Sequence, residues 1–498
     1  MKYIDYKQLN PFQRFAYNFK EFFKKLPGRV AGFFKAIARF FVNLFTGIGK
    51  GVANYVTRFI KGDWSVKLSY VIFGAGNIAK GQFIKGLLFL AFEAFYIFFM
   101  ITFGWPYLAK FASLGDIAKF DIPDGIFKKT VFVDNSMLIL LYGVLAIVVT
   151  AVFLFVYITN TKSAYKMQQL KAEGHHIMSF GEEMKDFLDG KFHISMLSVP
   201  VLLISIFTIL PLIFMILIAF TNFDKAHMPP GTLFDWVGLS NFADLVSVAE
   251  GGKRGITFIE LTKWTLIWAV FATFTNYILG MIVALMINKK GIKLKSLWRT
   301  LFVVTIAVPQ FVSLLLMNQM LQVNGAINIL LSNITGQEVA IQFLNSTPLM
   351  ARVTVIIINC WVGIPYTILS ASGILMNIPA DLYESARIDG AGPVKQFTKI
   401  TLPYMIFVTA PSLITQFVGN INNFNVIYLL TGGGPSTSDF YQAGYTDILV
   451  TWLFKLSMSQ QDYALAAAIG ILVFIVCASL SLIVFNMSKS MKDEEAFS

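Results

Sequence analysis

Long apolar stretches separated by short polar segments dominate the pattern of this chain. Eight such stretches occur, and each has the length of about 20 residues that crosses the hydrocarbon core of a bilayer. They cover residues 82–104, 136–158, 196–220, 264–287, 300–321, 350–373, 404–429 and 464–487. The pattern predicts an all-α, polytopic membrane protein with about eight transmembrane helices.

Composition strengthens this prediction. Of the 498 residues, 56% are hydrophobic and only 14% are charged, whereas soluble domains carry roughly 25% charged residues. The net charge is +12, and thirteen Lys and Arg residues fall within residues 1–67. Because these residues alternate with Phe and Ile and form no nucleic-acid-binding module, we expect them to face an anionic lipid surface, not nucleic acid.

The first 80 residues form a basic N-terminal region with an apolar stripe at helical spacing. The stripe consists of Phe33, Phe34, Ile37, Phe40, Phe41, Leu44 and Phe45, flanked by Arg29, Lys35 and Arg39. It predicts an amphipathic helix. This helix either lies in the inner membrane interface or packs on the transmembrane helices.

The distribution of basic residues between the apolar stretches predicts orientation. The segment "NKKGIKLKSLWR" (288–299) has five basic residues and no acidic one, so we expect it in the cytoplasm. With eight spans, both termini then lie in the cytoplasm. Residues 81–195 form the first two spans and a cytoplasmic loop, and the loop 374–403 also faces the cytosol.

Signatures of catalysis and metal binding are missing from the sequence. The segment "TGIGKG" around Lys50 lacks the features of a phosphate-binding loop, so ATP hydrolysis is not expected of this chain. Cys360 and Cys477 lie in apolar stretches, and the four histidines have no ligand spacing. We therefore predict no cofactor, no metal and no enzymatic activity. Glu93, inside the first span, is expected to meet a polar neighbour within the bundle.

Two groups of polar residues fall inside apolar stretches. Gln416, Asn420 and Asn423 are spaced to share one helical face with Gly419 between them, and Asn359, Gly363 and Tyr366 share another face. Amides and an aromatic ring together suit a neutral polyhydroxylated ligand. Hydrogen bonding between helices explains the amides equally well, and spacing alone does not separate the two interpretations.

A charged segment, "DLYESARIDGAGPVKQF" (381–397), interrupts two apolar stretches. Pro379 suits the first turn of a helix, and Asp381 and Glu384 favour its N-terminal half. The glycines of Gly390-Ala391-Gly392 end it. A helix this short is marginal alone, so we expect it to pack through its small residues on a cytoplasmic partner. The alternative is an ordinary solvated loop.

The stretch "YESARIDGAGPVKQFTKITLP" resembles the EAA loop of ABC importer permeases. The matching residues are Glu384, Ser385, Ala386, Asp389, Gly390, Ala391, Phe397, Ile400, Leu402 and Pro403. Ser385 stands where Ala is usual. The resemblance implies that this helix docks on a partner ATPase, which binds the ATP, and that Glu384 reaches a basic group there.

The stretches "NNFNVIYLLTGGGP", "AGYTDILVTWLFKL" and "DYALAAAIGILVF" resemble the MalF-type subunits of maltose and maltodextrin importers. The resemblance implies a type I ABC importer permease core over residues 196–498, with the coupling loop at 374–403. It also implies a second permease subunit, two ATPase copies and an extracellular sugar-binding protein in a bacterial cell membrane.

The same resemblance implies sugar-binding positions and a cargo. The positions are Asn359, Val362, Gly363, Tyr366, Gln416, Gly419, Asn420 and Asn423, of which Gly419 and Gln416 replace an aromatic and a small hydroxyl residue. The expected function is ATP-driven import of maltodextrin-type α-glucan oligosaccharides. Alternatives are another oligosaccharide cargo, an ion-coupled secondary transporter or a membrane enzyme.

Overall fold

The computed structural model describes residues 45–124, 127–247, 252–289 and 291–487, together with Lys35, Arg39, Val42 and Asn43. Most of the predicted N-terminal amphipathic stripe (Phe33, Phe34, Ile37, Phe40, Phe41, Leu44) and Arg29 lie outside the described residues. Phe45 is exposed and belongs to a helix that is described over residues 45–61.

Helices make up most of the described chain. In chain order they are α1 (45–61), α2 (Trp64–Leu68), α3 (Ala75–Ile78), α4 (Phe83–Ala109), α5 (Ser136–Ala172), α6 (Phe180–Leu188), α7 (Phe192–Ile218), α8 (Ser240–Val246), α9 (Lys253–Asn288), α10 (Lys295–Ala307), α11 (Gln310–Met320), α12 (Ala326–Thr335), α13 (Pro348–Met376), α14 (Ala380–Ile388), α15 (Pro393–Ile421), α16 (Phe424–Thr431), α17 (Leu449–Lys455) and α18 (Tyr463–Met487). Single π-helical turns lie within or after these helices at Met100–Gly104, Ser205–Ile209, Phe397–Thr401 and Leu456–Gln460. One antiparallel hairpin pairs β1 (Lys119–Asp124) with β2 (Phe127–Phe132).

Seven helices in the described ranges are long and apolar enough to cross a membrane, and α10 with α11 form an eighth span if counted together. This confirms the prediction of an all-α polytopic protein. The predicted span over 300–321 is a bent pair of helices, because the chain turns by 88° between α10 and α11. Pro309 explains the bend: it has no N–H to donate and holds the preceding Val308 in an extended conformation.

A second predicted span, 404–429, is also divided in the structure. Helix α15 begins earlier, at Pro393, and ends at Ile421, and α16 begins at Phe424. The side-chain carbonyl of Asn423 accepts a hydrogen bond from the Val426 N–H at 3.4 Å. An Asn that caps a new helix in this way competes with continuation of the previous one.

The chain divides into two compact units. In the first, formed by residues up to 109 and by 142–204, Asn160 on α5 accepts from the Gly74 N–H and donates to the Ser69 carbonyl. The Glu93 carboxylate accepts the Phe73 N–H at 2.9 Å. The expected polar neighbour of Glu93 is therefore confirmed, and it is a backbone group.

The second unit comprises residues 110–141 and those from 205 onwards, and its central helix is α9. Helix α9 packs on α13 and α15. Gly280 permits this close approach, since a Cβ there would lie 2.5 Å from the Thr367 Cβ. Two apolar clusters join these helices: one contains Trp264, Trp268, Leu314, Val355 and Ile427, and the other Tyr277, Met281, Ile368 and Met405.

Candidate functional site

Three amide and hydroxyl side chains meet where α15 gives way to α16. Asn420 donates through Nδ2 to Thr273 Oγ1 at 3.0 Å, and Asn423 donates through Nδ2 to Asn420 Oδ1 at 3.2 Å. The indole N–H of the buried Trp268 donates to the Asn420 carbonyl at 3.0 Å. We call Thr273, Asn420 and Asn423 the amide cluster.

The predicted shared face on this part of the chain needs correction. Asn423 does not continue the face of Gln416 and Asn420, because α15 ends at Ile421. The turn still brings the Asn423 side chain against Asn420. Gln416 and Gly419 lie on the exposed part of α15, and a Cβ at Gly419 would meet open space.

The predicted face on α13 divides between a helix contact and an exposed surface. Asn359 is buried, and Gly363 lies against α9, where an added Cβ would be 2.0 Å from Asn276 Nδ2. Val362 packs on the first apolar cluster. Tyr366 is 53% exposed and lines a small cleft at the bend between α10 and α11.

Two buried amide atoms beside Gly363 lack hydrogen-bond partners among the described residues. They are Asn359 Nδ2, a donor, and Asn276 Oδ1, an acceptor. An unpaired buried amide atom costs about 1–3 kcal/mol, so a ligand hydroxyl that reached it would be bound favourably. Both atoms are closed off from solvent in this conformation.

Residues from the fourth span were missed by the sequence analysis. Trp268, Thr273 and Asn276 all lie on α9 and all contact or approach the predicted site. The sequence contains one signal for a role of α9 in the site, since Asn276 is an amide in the middle of an otherwise apolar stretch.

The charged segment forms the predicted short helix, α14. It begins after Pro379, which occupies the N-terminal cap position, and ends at Ile388, with Asp389 in the C-terminal cap position. Gly390 has φ +73°, a left-handed conformation that glycine adopts without steric cost. The Ala391 N–H then donates to the Ala386 carbonyl at 2.8 Å and closes the turn.

The predicted coupling residues lie mostly on the surface of this segment. Glu384, Ser385, Asp389 and Gly390 are exposed, and Ala386 and Ala391 are half-buried. Within the described part of the chain, the Glu384 carboxylate forms no ion pair. Ile388 on the same helix is 87% exposed.

One hydrogen bond ties α14 to the beginning of α15. The Tyr383 hydroxyl and the Thr401 hydroxyl are 2.8 Å apart. Thr401 lies in the π-helical turn of α15, and the amide cluster lies at the other end of that helix. This hydrogen bond therefore links α14 to the helix that carries Asn420.

Residues 276–493 match the family described as binding-protein-dependent transport system inner membrane component. The maltodextrin transport system permease protein of Bacillus subtilis is 34% identical to this chain over 85% of it and 95% of the relative. A galactooligosaccharides transport system permease protein of the same organism is 35% identical over 85% of this chain and 97% of the relative.

A solved structure of a bacterial alginate ABC transporter in complex with an alginate pentasaccharide-bound periplasmic protein is also similar. The match has a TM-score of 0.50 at 24% identity and covers 61% of this chain and 96% of that chain, and it shows the fold alone. The chain belongs to the family of binding-protein-dependent transport inner membrane components, and it is a multi-pass permease subunit of an ABC importer, not an enzyme.

Proposed function

We propose that this permease carries maltodextrin-type α-glucan oligosaccharides. The observation that carries the proposal is the arrangement of amides in the membrane core, namely the amide cluster together with the unpaired Asn359 and Asn276. Amide groups offer both donors and acceptors, which match the hydroxyl groups of a neutral sugar. The maltodextrin permease at 34% identity supports the same cargo class.

The arrangement of charge favours a neutral cargo. On α13 and α15 the basic residues are Arg352, Lys395 and Lys399, and all three lie within seven residues of a helix start. The Arg352 guanidinium lies over the Trp264 ring and donates a hydrogen bond to the Tyr445 carbonyl. A phosphorylated or acidic cargo requires Arg or Lys beside it, and these faces offer none near Asn359 or Asn420.

The proposed mechanism is alternating access driven by two partner ATPase subunits. Their closure on ATP moves α14, and the Tyr383–Thr401 contact carries that movement into α15. The coupling surface comprises Glu384, Ser385, Ala386, Asp389, Gly390 and Ala391. A second permease subunit completes the cavity, and an extracellular sugar-binding protein delivers the cargo.

The proposed orientation places both termini and α14 in the cytoplasm. The basic segment 288–299 between α9 and α10 supports this placement. Residues 1–80 then form a basic region at the inner membrane surface, and residues 196–498 form the permease core. Because α15 crosses the membrane from α14, the loop after α16 lies on the outer side.

A second oligosaccharide cargo is supported by one observation. The galactooligosaccharide permease is as similar to this chain as the maltodextrin permease. The two cargoes are both neutral and polyhydroxylated, so the amide cluster suits both. A transport panel that contains both classes separates them.

An ion-coupled transporter is disfavoured, because Glu93 is held by a backbone N–H in the first unit.

Asn420→Ala tests the amide cluster. The substitution removes the side chain that joins Thr273 to Asn423, so we expect the KM for maltotriose uptake to rise about tenfold, which corresponds to ~1.4 kcal/mol of lost hydrogen bonding. The measurement is uptake of labelled maltotriose by the assembled importer in proteoliposomes. Asn425→Ala, at an exposed position on α16, is the matched control. An unchanged KM in the Asn420 variant contradicts the proposed role of the cluster.

A further inference from the structure

An open cavity lies beside the C-terminal end of α16, at the opposite end of that helix from the amide cluster. Its volume is about 560 Å³. Side chains that line it are polar, apart from one aromatic ring and one alanine: Asn345, Thr431, Ser436, Thr437, Phe440, Gln442, Ala443, Lys455, Ser459 and Gln460. We call this the outer cavity. The proposed mechanism does not use it.

Gly433 and Gly444 lie in the floor of the outer cavity, where neighbouring groups approach the backbone too closely for a side chain. Gly433 has φ +86°, and a Cβ there would lie 2.1 Å from Asp447 Oδ1. A Cβ at Gly444 would lie 2.1 Å from the Gly433 carbonyl oxygen. The Thr446 N–H donates to that same carbonyl at 3.2 Å. The floor is therefore a fixed backbone surface, since no side chain can enter these positions.

Lys455 is the one cation among the described residues that line the cavity, and the carboxylate of Asp447 neutralises its charge. Asp447 is fully buried and accepts hydrogen bonds from the Gly444 N–H, the Thr451 hydroxyl and the Lys455 ammonium. Burial raises the pKa of Asp447, and the ammonium of Lys455 opposes that rise. Because Lys455 is paired with this carboxylate, the wall presents no net charge to a ligand.

The exposed groups of the outer cavity suit a neutral hydroxylated ligand. Asn345 and Gln460 supply amides, Ser459 supplies a hydroxyl, and Phe440 supplies an aromatic face. An anionic ligand finds no free cation here, and an apolar ligand would leave the amides unpaired. Like the amide cluster, the outer cavity offers amide and hydroxyl groups, and Phe440 adds an aromatic ring.

Helix α16 connects the outer cavity to the amide cluster. Its eight residues span about 12 Å at the usual rise per residue, from the capping Asn423 to Gly432. Phe424 and Tyr428 stack along this helix with ring centroids 4.7 Å apart, and Tyr428 is 38% exposed. A chain of several sugar units thus has an aromatic surface between two polar sites.

We propose that the outer cavity is a second saccharide site, which holds one end of a long oligosaccharide while the other end reaches the amide cluster. This inference rests on the proposed function, because it takes a neutral oligosaccharide as the cargo. It predicts that the outer cavity matters more for long chains than for disaccharides.

Thiol protection tests the site directly. Ser459→Cys is introduced with Cys360→Ser, in the assembled importer in proteoliposomes, and is labelled from outside with a membrane-impermeant maleimide. We expect maltoheptaose, without any binding protein, to slow labelling at least about threefold. Ser438→Cys, at an exposed position between α16 and α17 but outside the cavity lining, is the matched control and should not respond.

The outcomes separate this inference from the proposed function. Normal α-glucan uptake with no protection of the Ser459 variant overturns the outer site alone. Protection by the binding protein but not by the sugar also overturns it, since the surface is then a protein contact. Protection by a galactooligosaccharide and not by maltoheptaose supports the site and contradicts the α-glucan assignment.

A second readout uses transport itself. Gln460→Ala should raise the KM for maltoheptaose about tenfold through the loss of an amide contact, with the KM for maltose and both maximal rates unchanged. Equal effects on both sugars contradict a site that serves only long chains.

Discussion

Glu384→Lys is expected to lower sugar uptake by the assembled importer at least about 100-fold while the ATPase subunits still hydrolyse ATP. Glu384 is exposed on α14 and forms no ion pair within the described chain, so its charge is available to a partner. Reversing one charge of a pair that is buried on docking costs about 3–5 kcal/mol, which is more than two factors of ten.

Asp381→Asn is the control for this experiment. Asp381 is an exposed acid in the first turn of the same helix and is outside the proposed coupling surface. We expect it to change uptake little. Both variants should be measured for sugar uptake and ATP hydrolysis in the same proteoliposomes. Normal uptake in the Glu384 variant would remove the coupling role assigned to α14.

Asp447→Ala is expected to destabilise the permease by about 3–5 kcal/mol, because it leaves the Lys455 ammonium without its buried partner. It also removes the acceptor for the Gly444 N–H and the Thr451 hydroxyl. The measurement is the thermal unfolding midpoint of the assembled importer in detergent, together with the yield of folded complex.

Asp439→Ala is the matched control, since Asp439 lies on the same loop but is exposed. Its carboxylate accepts a hydrogen bond from the Tyr445 hydroxyl at 3.1 Å. We expect its midpoint to stay close to that of the unaltered protein. If Asp447→Ala lowers the midpoint no more than Asp439→Ala does, the ion pair does not stabilise the segment between α16 and α17.

Local signals account for the parts of the fold that were predicted from sequence. The apolar stretches predicted eight spans, and the described residues contain seven, or eight if the bent pair of helices is counted as one span. Helix α14 was predictable because Pro379 and Gly390 lie at its two boundaries and act within a few residues of themselves. Such signals do not depend on what the rest of the chain does.

The two divided spans show where local signals compete. Pro309 lies inside an apolar stretch whose hydropathy predicted one transmembrane helix. Because proline cannot donate a backbone hydrogen bond, the chain bends there and forms two helices. Asn423 matched a helical face by spacing, yet it caps the next helix. Its capping role depends on a turn at Asn422 that the spacing argument did not include.

Long-range packing explains the parts of the site that sequence did not predict. Thr273 and Trp268 bond to Asn420 across about 150 residues of chain, and no local pattern relates them. Gly363 was predicted as a sugar contact, but it lies against Asn276.

Uptake by the assembled importer across a panel of labelled sugars tests the central claim most directly. The panel contains maltose, maltotriose, maltoheptaose, galactooligosaccharides and an acidic oligosaccharide, each with and without ATP. We predict ATP-dependent uptake of the α-glucans and none of the acidic sugar. Failure to move any α-glucan, with uptake of another member of the panel, would contradict the assigned cargo.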